Sequence, residues 1–279
     1  MNAMSSNTER VWKRLAMLAS ALAFVGPLAY MLVVSLQAQG RGLGGSVLEL
    51  ARDPHPENYA LAAAKMGSLP RLFANTVLVT VLAIAGQLLT CSLAGYAFAR
   101  VPFRGRDALF VLVLATMLLP EQATAIPRFL LFRGLGLVDT FAPLLLPTVL
   151  GGAPFFIFLF RQYFLALPAE LTDAARVDGC SHWQIWWRIM LPLAKPMLVT
   201  VGIFTFLATW NDFWTPLIYL LSPERSTLTL ALASFNRGYG TAVEHMMAAS
   251  AMVLAPCLVV YFLAQRLFLR GVEVAASKH

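Results

Sequence analysis

The sequence predicts an all-α, polytopic membrane protein with six transmembrane helices and a pair of short cytoplasmic helices between the fourth and fifth. First, 59% of the 279 residues are hydrophobic and only 13% are charged. The mean hydropathy is +0.70, whereas soluble domains are roughly 45–50% apolar. Second, apolar windows recur at 15–40, 72–99, 108–127, 140–160, 196–223 and 245–265. Each reaches the ~20 residues that cross a hydrocarbon core of about 30 Å. Third, charges and tryptophans gather in one polar stretch, LTDAARVDGCSHWQIWWRIMLPLAKP (171–196).

The first window follows Arg10, Lys13 and Arg14 and runs 26 residues without a charge. That is too long for an ordinary signal-peptide core, so an uncleaved span is expected. Residues 37–70 then form a loop on the outside. Within it Gly40, Gly42 and Gly45 match G-x-G-x-x-G, but that motif binds dinucleotides only between a strand and a helix, and here it follows a membrane span. His55, between Pro54 and Pro56, reads as a turn residue with no second metal ligand nearby.

The second, fourth and sixth windows contain no Asp, Glu, Lys or Arg; the third holds only Glu121 and the fifth only Asp212. Soluble amphipathic helices need polar faces that these segments lack. Pro120, Pro127, Pro143, Pro147, Pro154, Pro216 and Pro256 interrupt the last four windows, with Gly151 and Gly152 in the fourth. Such breaks are tolerated where neighbouring helices or a water-filled cavity satisfy the freed backbone. Ordinary membrane-helix composition is the other reading. The chain divides into an N-terminal span and loop (1–70), a membrane core (71–271) and a cytoplasmic tail (272–279).

With six spans, one side carries the N-terminus, 100–107, 161–195 and the C-terminus, and it holds 13 of the 21 basic residues. The positive-inside rule makes that side cytoplasmic, with both termini on it. This bias accounts for the net charge of +7, and no nucleic-acid partner is needed to explain it. Cys91, Cys180 and Cys257 are too few and scattered for a disulfide framework or metal cluster. No repeat of 20 to 50 residues and no inverted symmetry between halves is visible, which disfavours solenoids and common secondary-carrier plans.

A carboxylate at a bilayer centre costs about 2.5–3.5 kcal/mol on insertion scales, so Glu121 and Asp212 are expected to face the bundle interior. Asp212 follows Lys195 by 17 positions and Glu121 follows Asp107 by 14, about 25 and 21 Å along straight helices. Both would then lie in the outer half. They are candidate pathway-lining residues, with Trp210, Asn211 and Trp214 able to stack on or hydrogen-bond a solute. A structural hydrogen-bond network between the third and fifth spans explains the carboxylates as well, and apolar packing explains the tryptophans.

In the polar stretch Pro168 suits a first helical position, with Glu170 and Asp173 favouring the helix dipole. Leu171, Ala174, Ala175 and Asp178 fall on one face at helical spacing, and Gly179 supplies a left-handed stop. Ser181 and Gln184 form a capping box for a second helix, on which Trp183, Trp186, Trp187 and Met190 are expected to share a side suited to the bilayer interface. Pro192 and Pro196 interrupt the chain before the fifth span. The small-residue face, carboxylates and cytoplasmic exposure describe a docking element.

Asp173-Ala174-Ala175, three residues, Gly179, nine residues and Ile189-x-Leu191-Pro192 resemble the EAA loop of ABC importer permeases, with Asp where the family usually has Glu. YAFARVPFRGR (96–106), LPEQATAIPRF (119–129), FLFRQYFLALPAEL (158–171) and FLATWNDFWTPLIYL (206–220) are similar to the carbohydrate-uptake branch, in particular to second permease subunits of maltose-type systems. The likeness covers roughly 58–271; the tail VEVAASKH departs from the family's usual ending. It implies a permease subunit for a sugar or oligosaccharide in the inner membrane, with Asp173, Ala174, Ala175, Asp178 and Gly179 coupling to an ATPase. It further implies a second permease, two ATPase subunits, an extracytoplasmic solute-binding protein and surrounding lipid as partners.

The chain has no G-x-x-x-x-G-K-[ST] loop, so no cofactor is expected on it, and ATP and Mg belong to the partner ATPase. The alternatives are a membrane-embedded enzyme using Glu121, Asp212 and the Glu244–His245 pair, or an ion-coupled secondary carrier. No H-E-x-x-H spacing supports the enzyme.

Overall fold

Every regular element is helical in the computed structural model, which describes residues 2–40, 53–151, 153–235 and 242–276. Among the described residues four helices are long and apolar enough to cross a membrane, or up to six if each of two bent pairs counts as one span. The residues after 276, like most of the G-x-G-x-x-G match, lie outside the described set. The chain forms two units, residues 1–69 with 231–255 and residues 70–230 with 256–279.

In the first unit α1 (Asn2–Ser35) is followed by α2 (Glu57–Met66). From Trp12 to Leu28 the apolar side chains of α1 stand largely exposed, as suits a helix surrounded by lipid. Its C-terminal end is held by α2, where the buried Asn58 amide donates to the carbonyls of Ser35 (3.0 Å) and Gln37 (2.7 Å). The Ser35 carbonyl is one of the acceptors that a helix end leaves open, and Gln37 lies just beyond that end. Lys65 donates to Nδ1 of His245 at 3.0 Å, and the Gln39 amide lies 2.8 Å from Nε2. Both ring nitrogens of His245 are thus engaged in the bundle. His55 is flanked by carboxylates, with Glu57 at 2.5 Å and Asp53 at 3.2 Å, and the hydrogen bond to Glu57 raises its pKa above the usual value.

The second unit begins with α3 (Leu69–Arg100), whose 32 residues extend about 48 Å at 1.5 Å per residue. After it come α4 (Arg106–Ala115) with a 3-10 turn (Thr116–Leu118), α5 (Glu121–Gly134), α6 (Ala142–Val149) and α7 (Pro154–Ala166). The polar insert supplies α8 (Glu170–Val177) and α9 (His182–Leu193). The remaining elements are α10 (Lys195–Trp210), α11 (Trp214–Tyr219), a 3-10 turn (Pro223–Arg225), α12 (Leu228–Phe235) and α13 (Val243–Ala276). The last two helices run past the unit boundaries.

Helices α3 and α7 pack closely where α3 presents Gly95. A β-carbon there would stand 2.5 Å from Cβ of Phe160, so only glycine permits this approach, as small residues do between membrane helices generally. The surrounding core contains Cys91, Tyr96, Phe160, Phe164, Ile185, Trp186 and Met190. Part of the polar insert is therefore built into the hydrophobic core of the second unit.

Three windows differ from straight spans. The 108–127 window bends by 98° between Arg106–Leu118 and Glu121–Gly134. Pro120 restricts the residue before it to extended backbone, and Leu119 has φ −80°, ψ 115°. Glu121 is consequently the first residue of α5 rather than a point 21 Å up a straight helix. The 196–223 window divides after Trp210 and resumes at Trp214. The 140–160 window divides between Val149 and Pro154.

Candidate functional site

A cavity of about 950 Å³ lies within the second unit, bordered by α3 to α7, α10 and α11. Its wall is rich in hydroxyls, including Thr124, Thr148, Thr205, Thr209 and Thr215, and also includes Gln87. Thr124, Thr148 and Thr205 donate back to helix carbonyls, which leaves their oxygen lone pairs as acceptors. The volume is near the upper end of the ~300–1,000 Å³ usual for ligand sites.

Glu121, Asp212 and Trp214 line this cavity. Glu121 opens α5, where a carboxylate complements the helix dipole, and its Oε1 lies 3.5 Å from Nη1 of Arg128. Arg128 also donates to the Thr124 hydroxyl at 3.3 Å. Asp212 accepts the backbone N–H of Thr215 at 3.1 Å, which holds the start of α11. Trp214 is half exposed and forms part of the wall.

Trp210 and Asn211 are not among the lining residues. Trp210 is buried, stacked on Phe206 at 5.3 Å and meeting Phe73 edge-on at 5.9 Å. The Asn211 amide donates to the Leu207 carbonyl at 2.8 Å, closing the end of α10. Arg128 is the lining charge that sequence reading missed. Its place seven residues after Glu121, two turns along the same face, is the signal for it.

The insert folds as its punctuation dictates. Gly179 has φ +81°; Cys180 N–H reaches the Ala175 carbonyl (2.9 Å) and Gly179 N–H the Arg176 carbonyl (3.0 Å), which is a Schellman ending. Gln184 N–H donates to Oγ of Ser181 (3.3 Å), and Ser181 N–H donates to the Gln184 side chain (2.8 Å). Helix α8 starts at Glu170, with Ala169 at the N-cap position and no side-chain cap, so Pro168 lies two residues before it rather than at its first position. The 80° bend before α10 falls between Leu193 and Lys195.

On α8 and the turn that ends it, Leu171, Asp173, Ala174, Val177, Asp178 and Gly179 are exposed, with Val177 at 89%. Ala175 is turned inward, 5% exposed, and packs in the core with Phe164, Ile185 and Trp186. It therefore does not share the exposed face of Ala174, as the helical spacing suggested. The tryptophans also separate, Trp186 being fully buried while Trp183 and Trp187 are exposed. Trp186–Met190 is wound as a π-helix, which rotates these side chains relative to α-helical spacing.

The family described as "Binding-protein-dependent transport system inner membrane component" matches residues 91–274. An arabinooligosaccharide transport system permease protein of Halalkalibacterium halodurans is 36% identical over 80% of this chain and 79% of its own length. A lactose transport system permease protein of Rhizobium radiobacter is 34% identical, covering 73% of this chain and 74% of its own. Among solved structures, a chain of a bacterial ABC transporter involved in importing the acidic polysaccharide alginate superposes with a TM-score of 0.82 at 25% identity. That superposition covers 95% of this chain and 98% of the other.

Proposed function

This chain belongs to the binding-protein-dependent transport system inner membrane components, the permease subunits of ABC transporters, and on that premise we propose that it imports a sugar or oligosaccharide. The hydroxyl-rich cavity carries this reading: its threonines, Gln87, Glu121, Arg128 and Asp212 suit a polyhydroxylated solute, and Trp214 supplies a stacking surface. The carbohydrate permeases among its relatives support the same solute class.

The exposed face of α8, with Asp173, Ala174, Asp178 and Gly179, docks on a separate ATPase, which holds ATP and Mg; Ala175 anchors that face from beneath. A second permease completes the pathway, two ATPase subunits drive it, and an extracytoplasmic binding protein delivers the solute. Both termini, the 101–105 loop and the insert face the cytoplasm, in keeping with the distribution of Lys and Arg. External labelling at residue 103 or 174 would contradict that orientation.

The solute assignment is tested in proteoliposomes holding the full importer with its binding protein. ATP-dependent uptake of a neutral oligosaccharide is expected, and Glu121→Gln, Asp212→Asn or Trp214→Ala should reduce it at unchanged assembly. Undiminished uptake in all three variants would remove the cavity from the pathway.

A further inference from the structure

The chain on either side of α8 is fastened to one membrane helix, α3. On the approach to α8, Arg100, the last residue of α3, donates from Nη2 to the Phe164 carbonyl at 2.7 Å and to the Leu167 carbonyl. Both acceptors belong to the C-terminal end of α7, where the last carbonyls lack the N–H groups of a following helical turn. Arg161 of α7 returns the contact through Nε to the Phe98 carbonyl of α3 at 3.4 Å. Only Pro168 and Ala169 separate Leu167 from α8, and proline fixes one of the backbone torsions in that link. Beyond the Gly179 turn, Tyr96 Oη shares a hydrogen bond of 3.1 Å with Nδ1 of His182, the first residue of α9. Tyr96 is buried and meets Phe164 edge-on. It lies four residues before Arg100, so one face of α3 reaches both sides of α8.

We propose that Arg100 and Tyr96 are positioning residues that couple motor movement to the membrane domain, by making α3, α7 and the insert move as one body. The proposal rests on α8 being the surface that docks on the ATPase. Arg100 ties the approach to α8, Tyr96 ties the departure from it, and Gly95 packs α3 against α7 beside them. A displacement of α8 then cannot be absorbed in the short links and is passed to α3, which also lines the cavity through Thr76, Val79 and Gln87. Without these hydrogen bonds the insert follows the motor while α3 lags.

The test uses the complete importer, with the binding protein, in proteoliposomes. Solute imported per ATP hydrolysed is measured alongside basal hydrolysis and subunit assembly. Tyr96→Phe removes one hydroxyl and keeps the ring. It is expected to assemble normally and keep basal hydrolysis, while the transport ratio falls roughly threefold to tenfold, the range one net hydrogen bond commands. His182→Ala should lower the ratio alike and add nothing in the Tyr96→Phe background, because the two act through one contact. Arg100→Met should lower it further. A wild-type ratio in assembled Tyr96→Phe and His182→Ala importers would overturn the proposal, as would additive losses in the double variant. Val177→Asp on the exposed face of α8 separates the two readings. If it too leaves coupling intact, the docking assignment of α8 fails; if it uncouples while Tyr96→Phe does not, only the proposed linkage fails.

Discussion

Asp139 clamps Ser222 to the connection between α5 and α6. Its carboxylate accepts the backbone N–H groups of Leu221 and Ser222, both at 2.9 Å, and the Ser222 hydroxyl. Arg225 lies 3.5 Å away, and Asp139 N–H donates to the Tyr219 carbonyl at 2.8 Å. Among the described residues Asp139 is the sole non-glycine with positive φ, at 60°, a conformation that aspartate tolerates better than most side chains.

These contacts make the clamp dependent on pH. The Ser222 hydroxyl chiefly, with the two backbone N–H groups, lowers the Asp139 pKa to about 2. A lowered folded-state pKa means the contribution is complete above the unfolded value of about 3.9 and is lost as pH falls toward the folded one. Thermal unfolding of the detergent-solubilised chain should show an acid-dependent loss between those values that is smaller in Asp139→Asn. Asp139→Ala should melt below wild type already at neutral pH, with Asp139→Asn between them. Equal melting of all three at neutral pH would show that the clamp contributes nothing.

A second prediction concerns the contact of α3 with α7. Gly95→Ala introduces a β-carbon 2.5 Å from Cβ of Phe160, with the Arg161 backbone nitrogen at 3.0 Å. Because backbone as well as side chain must give way, the cost is expected to be about 1–3 kcal/mol. Gly134→Ala has no heavy atom within 4 Å of the new carbon and serves as the control. Indistinguishable melting of the two variants would mean that the helices separate without cost.

The Glu121–Arg128 pair gives a third prediction. Arg128→Met leaves Glu121 at the cavity wall without its guanidinium, and Thr124 without a donor. Both side chains are solvent-accessible, so the effect on stability is expected to be small, under about 1 kcal/mol. Uptake should change instead, as a raised half-saturating solute concentration for the assembled importer. Melting lowered strongly with uptake kinetics unchanged would assign the pair to architecture.

How much of this was legible in the sequence depended on how local the signal was. The Gly179 stop and the Ser181–Gln184 box were readable because each is settled by residues within a turn of one another. The apolar windows located the membrane segments because hydrophobicity accumulates over many residues. Their bends were not placed, although Pro120 marked one, because proline also occurs in membrane helices that merely kink. For Trp210 the sequence leaves stacking on a solute and apolar packing open, and the structure shows the packing. A wall position depends on which face Phe73 and Phe206 cover, and Phe73 lies on a helix far away in the chain. The inward turn of Ala175 and the division of the tryptophans likewise came from packing and π winding, which periodicity alone does not carry.

Neighbouring alanines on α8 provide the last prediction. Ala174 is exposed, whereas Ala175 lies in the core beside Phe164 and Trp186. Ala174→Trp therefore adds bulk to the outer face without disturbing the subunit, and it should assemble into the membrane with an unchanged melting temperature. Ala175→Trp forces an indole into a filled site, where overpacking costs about 1–3 kcal/mol or more, and it should lower the melting temperature of the isolated chain. Gly179→Val should also destabilise, by about 1–2 kcal/mol, since φ of +81° is strained for a side chain bearing a β-carbon. The decisive comparison is ATPase co-purification. Loss of the motor from a fully stable Ala174→Trp subunit identifies the outer face of α8 as its docking surface. Retention of the motor and wild-type transport by that variant would leave the insert as a membrane-surface element alone.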